Sequence, residues 1–234
     1  MITDYILLIA VIAVLIFGAV KGYRRGFLRL AVWFAGLIAV LFIVTKISPY
    51  VSDFLIKNTS LYDNVRTRII RMYEERNDKE VPEDTLPGDS RENDFIDSFG
   101  FPELITDSIK SNNTSEIYDR LAVTLFKDYI SGYLSELSIK AGTFVGLFVL
   151  LALVLLVLFI AIKVLEKIPV LKTFNRLLGM AVGITLSLVF VWVFFLAVMM
   201  FFAHSFGGWV FSQVRASRIL TYLFNNNILF DLIR

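Results

Sequence analysis

The side chains able to do covalent or metal chemistry are few and scattered. The chain has one histidine, His204, and no cysteine. Nucleophilic catalysis needs a Ser, Thr or Cys with a base held against it. His204 stands next to Ser205 in "FFAHSFGGW", and nothing in the sequence supports an adjacent pair as nucleophile and base. The stretch reads more simply as the end of an apolar run, with His204 and Trp209 at a membrane–water interface. There is no HExxH motif, no histidine cluster and no phosphate-cradling loop after a strand. The absence of cysteine removes a disulfide framework and a thiolate metal site. The expectation is a protein that is not an enzyme, with no catalytic, cofactor or metal residues.

Ionisable residues inside membrane spans would mark a proton relay or an ion path. Four segments are apolar enough to span, at about 20 residues and roughly 1.5 Å each. They are Asp4–Val20, Phe27–Thr45, Ala141–Ile162 and Leu177–Ala203. Their interiors carry no charge: Asp4, Arg29, Lys140, Lys163 and His204 all sit at edges. This disfavours a pump that titrates a midplane carboxylate, while glycine carbonyls or water leave a channel open. Composition agrees with a membrane protein: 57% of residues are hydrophobic and 22 are Phe, with mean hydropathy +0.71. The N-terminus "MITD" lacks the basic start of a signal peptide, so the first apolar run is read as a retained helix.

Small residues recur at four-residue spacing. Gly18, Gly22 and Gly26 form one series, Gly142 and Gly146 a second, and Asn175, Gly179, Gly183 and Ser187 a third. Positions four apart share a helix face. In lipid, small-xxx-small faces let backbones approach where hydrophobic drive is weak. The readings are ordinary packing within the chain, a turn at Gly22–Gly26, or a self-association or pore-lining face. Gly179 and Gly183 are expected to pack against spans one and two, with Ala tolerated better than Ile at Gly179.

Charge sets the orientation. The net charge is +2, but residues 46–140 hold 12 basic and 18 acidic residues. The first short loop carries Lys21, Arg24, Arg25 and Arg29 without an acid. The second, "KVLEKIPVLKTFNR", carries Lys163, Lys167, Lys172 and Arg176 against Glu166 alone. Basic short loops remain cytoplasmic, which puts residues 46–140 outside. A nucleic-acid partner is not supported, because the cations flank apolar runs rather than forming a soluble basic face.

The expected organisation is all-α, with four transmembrane helices in two hairpins. Residues 1–45 form the first hairpin, 46–140 an extracytoplasmic insertion, 141–204 the second hairpin and 205–234 an interfacial helix. Within the insertion, Leu61–Tyr73 reads as a basic amphipathic helix and Glu116–Leu137 as a helical stripe leading into span three, with a bend near Ser135–Gly142. Glu74–Asp97 holds ten acids, three bases and two prolines, and reads as a disordered acidic loop.

Several of these features together resemble the colicin V production protein family of bacterial inner-membrane proteins. They are Asp4 before span one, the Gly18, Lys21, Gly22, Arg25, Gly26 series at its end, "NRLLGMAVG" from Asn175 and Arg176 to Gly183, and the tail "SRILTYLFNNN". The resemblance implies four spans, a bacterial plasma-membrane location and a requirement for production or export of a peptide toxin, as a transport component or accessory. It transfers no catalytic residue. The expected partners are the lipid bilayer, export machinery and further copies of the chain. The alternative is a structural scaffold that supports envelope integrity without transport.

Overall fold

A computed structural model of the chain describes residues 5–75, 85–162 and 172–233. Ten α-helices occur among these residues: α1 (Ile6–Arg25), α2 (Phe27–Asn58), α3 (Leu61–Glu75), α4 (Ser90–Ser98), α5 (Glu103–Ser111), α6 (Ser115–Leu121), α7 (Phe126–Ile162), α8 (Lys172–Met199), α9 (Ser205–Ala216) and α10 (Arg218–Asn225). A 3-10 turn follows at Phe230–Leu232. No strand occurs among the described residues. Four helices, α1, α2, α7 and α8, are long and apolar enough to cross a membrane.

The helix α8 is the centre of the bundle. Half of its apolar window is buried, against about a fifth in each of the other three. The helix α1 lies along α8, and α2 lies along α7 and α8. The first two spans are joined by one residue, Gly26, yet touch each other little. Their main partners are therefore across the chain rather than next in sequence, which departs from a packed first hairpin. The physical reason is side-chain size: α1 offers its glycines to α8, and a glycine face admits a closer helix than any other face does.

Two long helices overrun their expected ends. The helix α2 passes Thr45 and continues through Lys46 and Pro49 to Asn58. Lys46 holds its ammonium 5.8 Å from the Phe42 ring, so its stem stays on the apolar surface. Likewise α7 is a single helix from Phe126, unbroken through Ser135–Gly142. Its serines bond locally or to a neighbour: Ser135 Oγ donates to the Ser131 carbonyl at 2.5 Å, and Ser138 Oγ to the Met199 carbonyl at 3.2 Å. At 37 residues, α7 is roughly 55 Å long. That exceeds a hydrocarbon core of about 30 Å, so part of it packs with α3 and α6, which with α4 and α5 make up a cap.

The cap has a core of its own. Phe95 meets Phe99 at 5.3 Å, Phe99 stacks on Phe101 at 5.4 Å, and Phe101 meets Phe202 at 5.3 Å and Phe211 at 5.8 Å. Phe224 extends this chain from Phe211 to Phe195 of α8, at 6.3 and 5.1 Å. Aromatic rings thus run without a gap from α4 to the last span.

The acidic segment Glu74–Asp97 is not disordered throughout. Residues 76–84 lie outside the described residues, but Ser90–Ser98 is α4, with Phe95 and Ile96 in the core. Asp89 caps it by accepting the Arg91 N–H at 2.8 Å, and this bond holds the Asp89 carboxyl below its ordinary pKa. Glu92, fully buried, accepts from Thr85 Oγ1 at 2.6 Å, Gly88 N–H at 2.9 Å and Asn113 Nδ2 at 2.7 Å. Three donors offset the loss of water around a buried carboxylate. Average composition hid this, while the Asp89-x-x-Glu92 spacing is a helix-start signature.

The C-terminal interfacial helix is two helices, split at Ser217. Ser217 caps α10 through its Oγ, which accepts the Leu220 N–H at 3.4 Å. Leu220 and Phe224 are fully buried, whereas Ile219 faces outward at 53% exposure.

Candidate functional site: the glycine seam and the docked tail

The first and last glycine series meet face to face. A Cβ built on Gly18 would run into the Ser187 side chain and lie 2.6 Å from the Gly183 carbonyl oxygen. On Gly22 it would strike the Gly179 carbonyl, and on Gly183 the Gly18 carbonyl. On Gly179 it would lie 2.5 Å from the Gly22 carbonyl oxygen and 2.9 Å from Gly26 Cα. Real Cβ atoms do not come this close to backbone, so these four positions leave no room for one. Pairings fall along α8 as they rise along α1, so the two helices run antiparallel. Ser187 Oγ donates to the Gly183 carbonyl at 3.0 Å, keeping its hydroxyl bonded at the seam.

Gly26 closes the seam for a second reason. Its backbone sits at φ 77° and ψ 162°, a region that glycine alone occupies readily. Its N–H donates to the Gly22 carbonyl at 2.9 Å. A Cβ there would also collide with the Asn175 amide. Asn175 therefore belongs to the seam although it is not small.

The remaining sequence-predicted residues fall elsewhere. Asp4 lies outside the described residues. Lys21 sits 5.1 Å from the Phe17 ring and the Arg176 guanidinium 5.7 Å from the Tyr23 ring, while Arg25 is exposed. These cations gather at the Gly26 end of the seam. The Gly142 and Gly146 pair does not take part in packing of this kind. A Cβ on Gly142 would be 3.0 Å from the end of the flexible Met200 side chain, and one on Gly146 would meet nothing within 4 Å. Gly146 thus faces open space while Gly142 meets a side chain that can move aside, so equal spacing does not give equal packing.

Two features escaped the sequence reading. Gly36 of α2 faces Leu155 and Phe159 of α7, where a Cβ would lie 2.9 Å from Leu155 Cδ2, and Trp33 meets Phe159 at 4.6 Å. Its signal was the buried series Leu30, Leu37, Val40 and Val44 on the same helix. The asparagines of the tail end α10 and also dock it. Asn227 Nδ2 donates to the Trp192 carbonyl of α8 at 3.1 Å, and Trp192 Nε1 donates back to the Leu223 carbonyl at 3.0 Å. Asn225 bonds Glu103 at 2.8 Å and accepts the Leu104 N–H at 3.3 Å. The tail thus ties span four to α5 of the cap.

The geometry at the seam and the tail is one of packing and hydrogen bonding. The Nδ1 of His204 accepts the Phe206 N–H at 3.1 Å as the cap of α9, so that nitrogen is not aimed at Ser205. No group of three or more metal-ligating side chains occurs among the described residues. What the fold defines is an all-helical membrane protein whose first and last spans interlock. No protein-family model, no curated protein and no solved structure matches the chain.

Proposed function

We propose that this chain is a multi-pass protein of the bacterial plasma membrane, required for production or export of a colicin V-like toxin as a transport component or accessory. One observation carries the reading. The motif residues behind the family resemblance, Gly18 to Gly26, Asn175 to Gly183 and the asparagine tail, all converge on α8. Residues with no catalytic use are then concentrated where they set the packing of one helix. In this reading the short basic loops face the cytoplasm and the cap lies outside. The sign of charge on α8 supports that orientation. Its first turn has no acid, and Lys172 and Arg176 stand near its N-terminus, against the preference of a helix dipole for anions there. Cations in that unfavourable place fit a topology signal.

The test is genetic and direct. Deleting this chain from a toxin-producing bacterium that carries it should lower secreted toxin, and the wild-type chain should restore it. Unchanged secretion in the deletion would contradict the proposal. The closed seam and the uncharged span interiors favour a second reading, a scaffold without transport. Solute flux through the purified chain in liposomes separates the two: flux above empty vesicles supports transport, and none supports the scaffold.

A further inference from the structure

Three arginines project from α3, and their surroundings differ. Arg66 is committed to the fold, with Nη2 2.9 Å from Asp128 Oδ1 and Nε 3.4 Å from Ser131 Oγ. Arg68 and Arg71 are exposed, and among the described residues neither has a hydrogen bond or an ion pair. Their helix neighbours Ile69 and Met72 are buried in the core, so the helix cannot turn to relocate these two charges. Both line two adjoining hollows of ≈ 410 and ≈ 540 Å³. The first is walled by Phe202, His204 and Gly208, and the second by Leu61 and Val65.

The position of these hollows indicates what enters them. His204 lies five residues past Met199, where α8 ends. Around it stands an exposed aromatic cluster: Phe201 is 6.1 Å from His204 and 5.7 Å from Phe206, and Phe206 is 6.3 Å from Trp209. Exposed aromatic rings at the end of a span mark the headgroup level of a bilayer. Two guanidinium groups without a partner among the described residues stand at that level, with forked donors suited to a phosphate. The cap around them is acidic, with 18 acidic against 12 basic residues over 46–140. A soluble anion approaching through water meets that negative field, whereas a lipid headgroup arrives sideways in the membrane plane. We infer that Arg68 and Arg71 hold the phosphate of an anionic phospholipid headgroup at the rim between α3 and the start of α9. The site pins the acidic cap to the membrane surface and offsets its repulsion from an anionic leaflet.

Native mass spectrometry of the full-length chain in detergent tests this, with phosphatidylglycerol, phosphatidylcholine and inorganic phosphate as probes. The expected result is retention of phosphatidylglycerol over phosphatidylcholine, falling about fivefold for each arginine removed in Arg68→Gln and Arg71→Gln. Arg24→Gln with Arg25→Gln, at the other end of the bundle, should keep the preference. Arg68→Lys with Arg71→Lys should keep part of it, and helix content by circular dichroism should match wild type in every variant used. Equal retention of phosphatidylglycerol in the Arg68→Gln, Arg71→Gln chain would overturn the site. So would displacement of the lipid by inorganic phosphate alone, which would make the ligand a soluble anion. Loss of the preference in the Arg24→Gln, Arg25→Gln chain instead would move lipid binding to the other leaflet and also overturn it.

Discussion

The seam between α1 and α8 and the cap around α4 are held by opposite means. The seam is built from absence: Gly18, Gly22, Gly179 and Gly183 contribute no side chain, and backbone meets backbone. The cap is built from particular partners, Glu92 with its three donors and a run of phenylalanines from Phe95 to Phe224. The difference follows from solvent. In lipid, apolar side chains gain little by leaving one apolar medium for another, so close backbone approach and dispersion decide which helices pair. In water, burying Phe95, Ile96 and Phe101 is itself favourable, and polar groups must be matched as they are buried.

That contrast predicts where substitutions hurt most. Gly183→Ile should have the largest effect, because any Cβ there strikes the Gly18 carbonyl. Overpacking costs about 1–3 kcal/mol, and more where backbones touch. Gly146→Ile, with nothing within 4 Å, should leave thermal stability in detergent unchanged. Equal loss at both positions would remove the distinction between a seam and a merely glycine-rich helix. At Gly179 a single methyl already meets the Gly22 carbonyl oxygen at 2.5 Å, so Ala should destabilise clearly, though less than Ile.

The cap should respond next. Glu92→Ala leaves the Asn113 amide and the Gly88 N–H without their acceptor in a buried place. The cost is about 1–3 kcal/mol, read as a lower midpoint of thermal unfolding of the cap. Replacing residues 85–97 with a Gly/Ser linker should also destabilise the protein, the reverse of what the acidic composition suggests. A smaller loss, about 1 kcal/mol, is expected for Trp192→Phe, which removes one hydrogen bond to the tail. Protease cleavage between Ser217 and Asn227 should then become faster while α1 and α8 stay paired.

The smallest effect concerns pH. The Asp89 carboxyl is held below its ordinary pKa, first by the Arg91 backbone N–H. A carboxyl depressed in the folded state contributes stability above its unfolded pKa of about 3.9 and loses it as pH falls through the folded value. Amide exchange at the start of α4 should therefore be constant from neutral pH down to about 4 once intrinsic rates are removed, and faster below. Asp89→Asn, which still caps but does not titrate, should flatten that profile.

Legibility in the sequence followed the same division. Four apolar helices could be read because lipid demands a run of about 20 apolar residues, a requirement visible in any window. The glycine series on α1 and α8 could be read as one-sided faces, and spans one and two as the partners of Gly179 and Gly183, but not the pairing residue by residue, since spacing fixes a face and never says what covers each position. Gly142 and Gly146 show this: the same spacing, with open space beside Gly146. The helix α4 was missed because ten acids dominate its neighbourhood, while its fold depends on one of them, Glu92, finding donors up to 21 positions away. The docking of the tail was missed likewise, because Asn225 and Asn227 act on partners as far as 122 residues back in the chain.

The central claim is that α1 and α8 touch at the glycines within one chain, and a chain without cysteine allows a direct measurement. With Tyr23→Cys and Arg176→Cys in the full-length protein, the two thiols replace side chains that meet at 5.7 Å beside the seam, and no glycine is changed. A short thiol-specific cross-linker added to membranes should form an intramolecular link at high yield in the chain carrying both, and none when Gly146→Cys replaces Tyr23→Cys. If positions 23 and 176 fail to link in folded, membrane-inserted protein, or link only between separate chains, the seam is not the contact that organises this fold.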